Sequence, residues 1–122
     1  MTGLRELVER EVSGWPGVEA TPHWFGGVEF RGRGHEIGHL HGSRLADLPF
    51  PIRMRKKLVA EGKAEPHHVL PQTGWVSYYP RGPENAPAVV ELFRLNYEHI
   101  VQRGKKKAER VTPEGTTGEE AN

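Results

Sequence analysis

The chain has 122 residues, 35% hydrophobic and 27% charged, which is enough for one small domain with its own core. Its 17 lysines and arginines almost balance 16 aspartates and glutamates, and a net charge of +1 argues against a general attraction for nucleic acid. The absence of cysteine excludes disulfides, thiolate metal sites and a cysteine nucleophile.

Nothing in the sequence resembles a membrane segment or a targeting signal. No apolar run approaches the roughly 18 residues of a membrane span. The first ten residues, MTGLRELVER, carry too many charges for a signal peptide. We therefore expect a cytoplasmic protein with no membrane partner.

The N-terminal part predicts a helix followed by a hairpin. Thr2 is a candidate cap for a helix whose apolar residues recur at helical spacing: Leu4, Leu7, Val8 and Val12. The segment SGWPG ends this helix, and ATPHW is predicted to be a connector. The alternation in FGGVEFRGRGHEIGHLHG predicts two strands joined by a glycine-rich turn.

The next part predicts a second helix and a third strand. The two prolines of DLPFPI exclude a continuous helix there, and a helix can begin at PIRMRKKLVAEGK with Ile52, Leu58 and Val59 facing inward. AEPHHVLPQTG is predicted to be a loop or a short edge strand. WVSYY is a strand that places Trp75, Ser77 and Tyr79 on one face and Val76 and Tyr78 on the other.

A long final helix, roughly Ala86 to Gln102, is predicted from an apolar stripe of Val89, Val90, Phe93, Tyr97, Ile100 and Val101. Residues 104–122 have little apolar content and are predicted to form a disordered tail. The order of helix, hairpin, helix, strand and helix predicts an α+β fold over residues 1–103, with an antiparallel sheet packed against helices in a single domain.

The segment RGRGHEIGHLHG places His35, His39 and His41 within seven residues. Residues two apart on a strand share a face at about 6.6 Å, so His39 and His41 can converge on one ligand or ion. His35 would lie about 13 Å from His39 and is assigned to the turn. A third group must come from elsewhere, and PHHV offers His67 or His68.

Three interpretations of these histidines stay open at this point. They can be ordinary surface or boundary residues that bind only their neighbours. They can also form an acid–base pocket, since imidazoles on a partly apolar face have lowered basicity. The third interpretation is a divalent metal site of His39, His41 and His67. Arg81, beyond the end of the third strand, could meet an anionic ligand, and Trp75 and Tyr78 are either core residues or pocket wall.

A longer set of motifs resembles the luciferase-domain family, named after the light-emitting enzyme of fungi. The resemblance covers roughly residues 23–103. It rests on Glu36-x-x-His39-x-His41, Gly42-Ser43, Glu61-Gly62 at a helix end, His67, Gly74-Trp75, Tyr79-Pro80-Arg81 and the long final helix.

The resemblance implies a cofactor-independent oxygenase that adds O2 to a small, planar, enolic ligand such as a 3-hydroxy-2-pyrone. His39, His41 and His67 would then be catalytic, one removing the enol proton and the others holding the oxyanion and peroxide. His68, Trp75, Tyr78 and Arg81 would bind substrate. Glu36, placed by strand alternation on the opposite face, would orient or support the site.

The second half is also similar to the MmcQ/YjbR-like domains, through P-H-H, G-W-V and a long helix containing YEHIV. Those domains share the α+β fold and have been suggested to bind DNA. This similarity implies a non-enzymatic binding module, against which the near-neutral charge argues where nucleic acid is the partner.

Overall fold

The computed structural model describes residues 2–23 and 26–111. Over these residues the chain forms three α-helices and one six-stranded sheet. The helices are α1 (Leu4–Ser13), α2 (Ile52–Ala60) and α3 (Ala86–Val111), and a 3-10 turn at Pro83–Asn85 leads into α3. The strands are β1 (Val18–His23), β2 (Gly27–Gly32), β3 (His35–His41), β4 (Leu45–Pro49), β5 (Glu65–Pro66) and β6 (Trp75–Tyr78).

The strands lie in the order β1-β2-β3-β4-β6-β5, and all neighbours in the sheet pair antiparallel. The predicted α+β class, with an antiparallel sheet packed against helices, is confirmed. The predicted hairpin corresponds to β2 and β3, and WVSYY contains β6. The segment after α2 supplies β5, a two-residue edge strand.

Two strands were not predicted. The segment expected to connect α1 to the hairpin contains β1, an edge strand in which Pro22 pairs with Val28. Proline lowers the strand signal, but an edge strand tolerates it because one side of its backbone has no strand partner. The segment before α2 contains β4, which lacks alternation because Ala46, Asp47 and Leu48 are all buried. Strand β4 lies between β3 and β6 and brings Asp47 into the middle of the sheet.

One face of the sheet packs against α1 and α3 to form the core. The sheet contributes buried Val28, Phe30, Leu40, Leu48 and Val76. The helices contribute buried Leu4, Val8, Val12, Val89, Phe93, Tyr97 and Ile100, the apolar residues expected from their spacing. The rings of Phe30 and Phe93 meet edge to face with centroids 5.2 Å apart, which ties β2 to α3. The opposite face of the sheet carries the side chains that alternate with these core residues along the strands.

Two details of the first two helices differ from expectation. The residue that precedes α1 is Gly3, and it makes no side-chain cap, so Thr2 is not the cap. Ile52, predicted to face inward, is 50% exposed because it lies at the first turn of α2, whereas Leu58 is buried as expected.

Helix α3 continues through Gly104 to Val111, well beyond the predicted end at Gln102. One glycine costs a helix only about 1 kcal/mol, and the lysines, alanine, glutamate and arginine that follow are good helix formers. The predicted tail of residues 104–122 is therefore helical over 104–111, and residues 112–122 lie outside the described part. No helix within the described residues has the length and apolar character needed to cross a membrane.

Candidate functional site

A row of polar residues crosses the face of the sheet that lies away from α1 and α3. His39 of β3 is directly opposite Asp47 of β4, and Asp47 is directly opposite Ser77 of β6. Directly opposite residues of antiparallel strands share a face. Their sequence neighbours Leu40, Leu48 and Val76 point into the core. The register therefore sets the three polar side chains side by side.

Asp47 is the centre of this row. Its side chain is 1% exposed, although it carries a charge in the middle of the sheet. Its Oδ2 atom lies near the Nε2 atoms of four histidines within the described residues, at 3.5 Å for His39, 3.2 Å for His41, 3.6 Å for His67 and 3.3 Å for His68. We call Asp47 and these four histidines the Asp47 cluster.

The histidines of the cluster come from two parts of the chain. His39 and His41 are two residues apart on β3, and their rings meet edge to face with centroids 4.8 Å apart. His67 and His68 follow β5 directly, and their rings stack with centroids 4.3 Å apart. Because β5 pairs with β6, which is the neighbour of β4, the segment after β5 starts two strands away from Asp47 and reaches it through the side chains of His67 and His68.

A bulge in β3 brings Glu36 to the same face. Phe30 pairs with Gly38, but the next residue, Arg31, pairs with Glu36, so Ile37 is an extra residue in β3. The extra residue reverses the alternation. Glu36 therefore does not lie on the face opposite His39, as strand alternation predicted, and its Oε2 lies 2.6 Å from Nδ1 of His39.

The protonation of His39 follows from its two carboxylate neighbours. Burial alone would lower the pKa of His39, but the interactions with Asp47 and Glu36 outweigh it and raise the pKa to about 9. Burial likewise opposes the charge of Asp47, yet His39, the Ser77 hydroxyl and His68 hold the pKa of that carboxyl well below its usual range. With no metal bound, His39 is thus an imidazolium at neutral pH, between two carboxylates.

His67 has a different hydrogen-bonding pattern. Its Nδ1 accepts hydrogen bonds from the backbone N–H groups of Val69 and Leu70, at 3.1 and 3.0 Å. Nδ1 therefore carries no hydrogen, and in the neutral ring the hydrogen is on Nε2, the atom that faces Asp47. Burial lowers the pKa of His67, and the charge of His39 lowers it further despite the opposing effect of Asp47. His67 is thus a neutral imidazole whose Nε2 lies 3.6 Å from Asp47 Oδ2.

A cavity of about 380 Å³ opens beside the cluster. Its lining consists of the five cluster residues with Val69, Leu70 and Trp75. The Trp75 indole lies 5.6 Å from the His39 ring and 5.7 Å from the His67 ring, centroid to centroid. The cavity is shallow and open to solvent, and its lining combines imidazoles with apolar side chains.

The sequence model of the luciferase-domain family matches residues 34–96, more than half of the chain. This chain belongs to the luciferase-domain family. The matched segment contains the whole Asp47 cluster together with Glu36, Trp75 and Ser77. No curated protein and no solved structure matches the chain significantly.

In this luciferase domain, the predicted site residues fall into two groups. The structure brings His39, His41, His67, His68, Trp75 and Glu36 together at the cavity or directly behind it. Tyr78 does not join them, because it lies one residue after Ser77 and packs against the core on the other face. Arg81 is also absent from the lining. It is exposed beyond β6, and its backbone N–H donates to Asn85 Oδ1 at 2.7 Å.

Two residues of the site were missed from the sequence, Asp47 and Ser77. The Ser77 hydroxyl donates a 2.6 Å hydrogen bond to Asp47 Oδ1, so each oxygen of this carboxylate has its own set of partners. A signal for Asp47 did exist. It is the only charged residue in the run LADLPF, and a carboxylate within such an apolar run is seldom buried without partners.

Proposed function

We propose that this luciferase-domain protein binds a small, planar, enolic ligand in the cavity beside the Asp47 cluster and oxygenates it with O2. The observation that carries the proposal is the cavity itself, which is lined by one indole and by four imidazoles around one buried carboxylate. Family membership supports the choice of chemistry. The reaction needs no organic cofactor, and molecular oxygen is the co-substrate.

The apolar residues and the imidazoles would bind different parts of the ligand. The Trp75 indole offers a flat apolar surface for a planar ring, and the Val69 and Leu70 side chains extend the apolar rim. The imidazolium of His39, whose ring centroid lies 5.6 Å from that of the indole, supplies positive charge beside this surface. A positive group that is already fixed in place stabilises the negative charge of an enolate oxygen. The bound ligand would thus be stabilised as its anion once its hydroxyl proton has been removed.

The contacts of His41 and His68 with Asp47 Oδ2 are alike, at 3.2 and 3.3 Å, and we assign the role of base to His68. Its Nε2 lies 3.3 Å from Asp47 Oδ2, an arrangement in which Nε2 donates and the lone pair is at Nδ1. His39 is protonated on both ring nitrogens and has no lone pair with which to act as a base. The lone pair of His67 is at Nδ1, where it accepts hydrogen bonds from two backbone N–H groups. His68 would remove the hydroxyl proton, and the enolate carbon would then form a bond to O2, giving a hydroperoxide after a proton returns.

The test is an anaerobic titration with a 3-hydroxy-2-pyrone, followed by admission of oxygen. We expect the absorbance of the enolate to appear on binding and oxygen consumption to begin when O2 is admitted. The variant H68Q should lower the rate of oxygen consumption by at least tenfold. The matched control H35Q changes an exposed histidine outside the cavity and should leave the rate unchanged. Absence of both binding and oxygen uptake rejects the proposal.

A second candidate function, a non-enzymatic module for an anionic partner, is favoured by one surface. A groove of about 570 Å³ is lined by Arg33, His35, Arg103, Lys106 and Lys107. If duplex DNA binds there, its affinity should fall steeply with salt, and R103E should remove most of it. Anisotropy of a labelled duplex at low and high salt measures this. Binding that is absent at low salt excludes the DNA form of the module.

A further inference from the structure

We propose that the Asp47 cluster holds a divalent first-row transition metal ion, bound by Nε2 of His39, Nε2 of His41 and Oδ2 of Asp47. His67 is outside this ligand set. The inference goes beyond the proposed oxygenation and does not depend on it. With the ion bound, His39 would be a neutral ligand, and the ion rather than the His39 imidazolium would supply the positive charge of the site. It rests on donor distances, on hydrogen bonds behind the ligands and on the choice between two possible triads.

The spacing of the cluster is unsuited to hydrogen bonds alone. Four Nε2 atoms surround one oxygen at 3.2–3.6 Å, whereas charge-assisted N–H···O bonds are about 2.7–2.9 Å long and one carboxylate oxygen has two lone pairs to share. Ligand atoms held at about 2.0–2.1 Å from one ion in a tetrahedron lie roughly 3.3 Å apart. The distances of His39 and His41 from Asp47 Oδ2, 3.5 and 3.2 Å, fit that second arrangement.

Two triads share Asp47 and bring their donor atoms within 4.8 Å of one another. One consists of His39, His41 and Asp47, and the other of Asp47, His67 and His68. The second requires Nε2 of His67 as a ligand, but that atom bears the hydrogen because Nδ1 accepts two backbone hydrogen bonds. A metal ligand must present a lone pair. The first triad is therefore the ligand set.

The groups behind the first triad are those that a metal centre requires. A ligating histidine commonly donates its other ring N–H to a carboxylate, which fixes the ring and raises its basicity. His39 does this through Nδ1, 2.6 Å from Glu36 Oε2. The Asp47 carboxylate is oriented in the same way, since Ser77 binds Oδ1 and leaves Oδ2 directed at the histidines. Both interactions orient a ligand without occupying its ligating atom.

The donor set indicates the class of ion. Two imidazoles and one carboxylate suit iron, zinc, cobalt, nickel or manganese in the divalent state, and the chain has no thiolate to offer. Two histidines and one carboxylate on one side of an ion, with open positions on the other, are typical of non-heme Fe(II) sites. The open positions here would face the cavity, toward His68 and Trp75.

The test uses untagged protein stripped with a chelator and titrated with Co²⁺, whose absorption bands report the coordination. We expect one equivalent of Co²⁺ to bind and to produce d–d absorption bands. At a free Co²⁺ concentration about one hundred times the dissociation constant, the melting temperature should rise by about 10 °C. H41Q should weaken Co²⁺ binding at least tenfold. The variant is expected to fold because the His41 side chain is 37% exposed. H67Q and the distant control H35Q should retain one equivalent.

The outcomes separate the triads. Less than a tenth of an equivalent in the wild-type protein overturns the inference. Loss of binding in H67Q with full binding in H41Q overturns the ligand set and assigns the ion to the second triad. Circular dichroism of each variant shows whether it is folded. E36Q is a second test variant, and it leaves all three proposed ligands in place. E36Q should weaken Co²⁺ binding by about 10-fold to 100-fold. No pyrone is present in these measurements, so they stand whether or not oxygenation occurs.

Discussion

His39 and Asp47 lie directly opposite each other on β3 and β4, with His39 Nε2 3.5 Å from Asp47 Oδ2. This pair links the two strands through their side chains as well as through their backbones. The side chain of Asp47 is 1% exposed and that of His39 is 13% exposed, so solvent screens the pair weakly. Breaking such a pair by neutralising one partner leaves a buried charge uncompensated. The stability of the metal-free protein should therefore depend on pH.

The first prediction concerns the alkaline side. The pKa of His39 is raised from 6.5 to about 9 in the folded state, so the folded protein binds this proton more tightly than the unfolded chain does. The resulting stability is complete below about pH 6.5 and disappears as the pH rises through 9. It amounts to on the order of 3 kcal/mol. Urea unfolding of chelator-treated protein between pH 6 and 10 measures it, and H39Q should flatten the curve. An unchanged pH dependence in H39Q would contradict the assignment.

The second prediction concerns Ser77. The variant S77A removes the hydrogen bond to Asp47 Oδ1 and leaves a buried carboxylate oxygen short of a donor. We expect the free energy of unfolding to fall by about 1–3 kcal/mol. The control is S43A, since the Ser43 hydroxyl accepts only an exposed 3.3 Å hydrogen bond from the backbone of Arg5. S43A should change stability by less than about 0.5 kcal/mol. Equal losses in the two variants would contradict a special role for Ser77.

Much of the architecture could be predicted because its signals are local. The stripe of α3 and the alternation of β2 and β6 depend only on the spacing of residues along one segment. The convergence of His39 with His41 has the same origin. The two missed strands carry a local signal that points elsewhere, since Pro22 argues against a strand and the run LADLP has no alternation.

The site was harder to predict because it depends on contacts between distant segments. Asp47 reaches His68 and Ser77, which are 21 and 30 residues away, and no spacing rule links them. The bulge at Ile37 moves Glu36 to the other face of β3, and one extra residue in a strand leaves no mark on the pattern of apolar residues. The histidines could thus be identified from the sequence, but the contacts that Asp47 and Glu36 make with them could not.

The third prediction tests how closely α3 lies against the strand of the site. A Cβ atom on Gly38 would be 2.9 Å from the Phe93 ring, 2.8 Å from Leu48 and 3.0 Å from the backbone oxygen of Asp47. G38A should therefore destabilise the protein by about 1–3 kcal/mol, because a packed core cannot absorb the added methyl group. The control is G14A, where a Cβ would make only ordinary contacts at 3.5 Å or more. Thermal unfolding of the two variants measures the difference, and a neutral G38A would contradict the close packing.

The last prediction concerns Glu36, the residue that the bulge places behind His39. In the metal-free protein, E36Q keeps an oxygen that can accept the hydrogen bond from Nδ1 of His39 but removes the negative charge 2.6 Å away. The pKa of His39 should fall from about 9 by at least about one unit, because an adjacent opposite charge favours the protonated ring. Titration of the His39 ring protons by NMR measures this shift. E98Q is the control, since Glu98 pairs with Arg94 on the exposed face of α3 and should leave the His39 titration unchanged. An identical pKa of His39 in E36Q and the wild-type protein would show that the charge of Glu36 does not reach the ring.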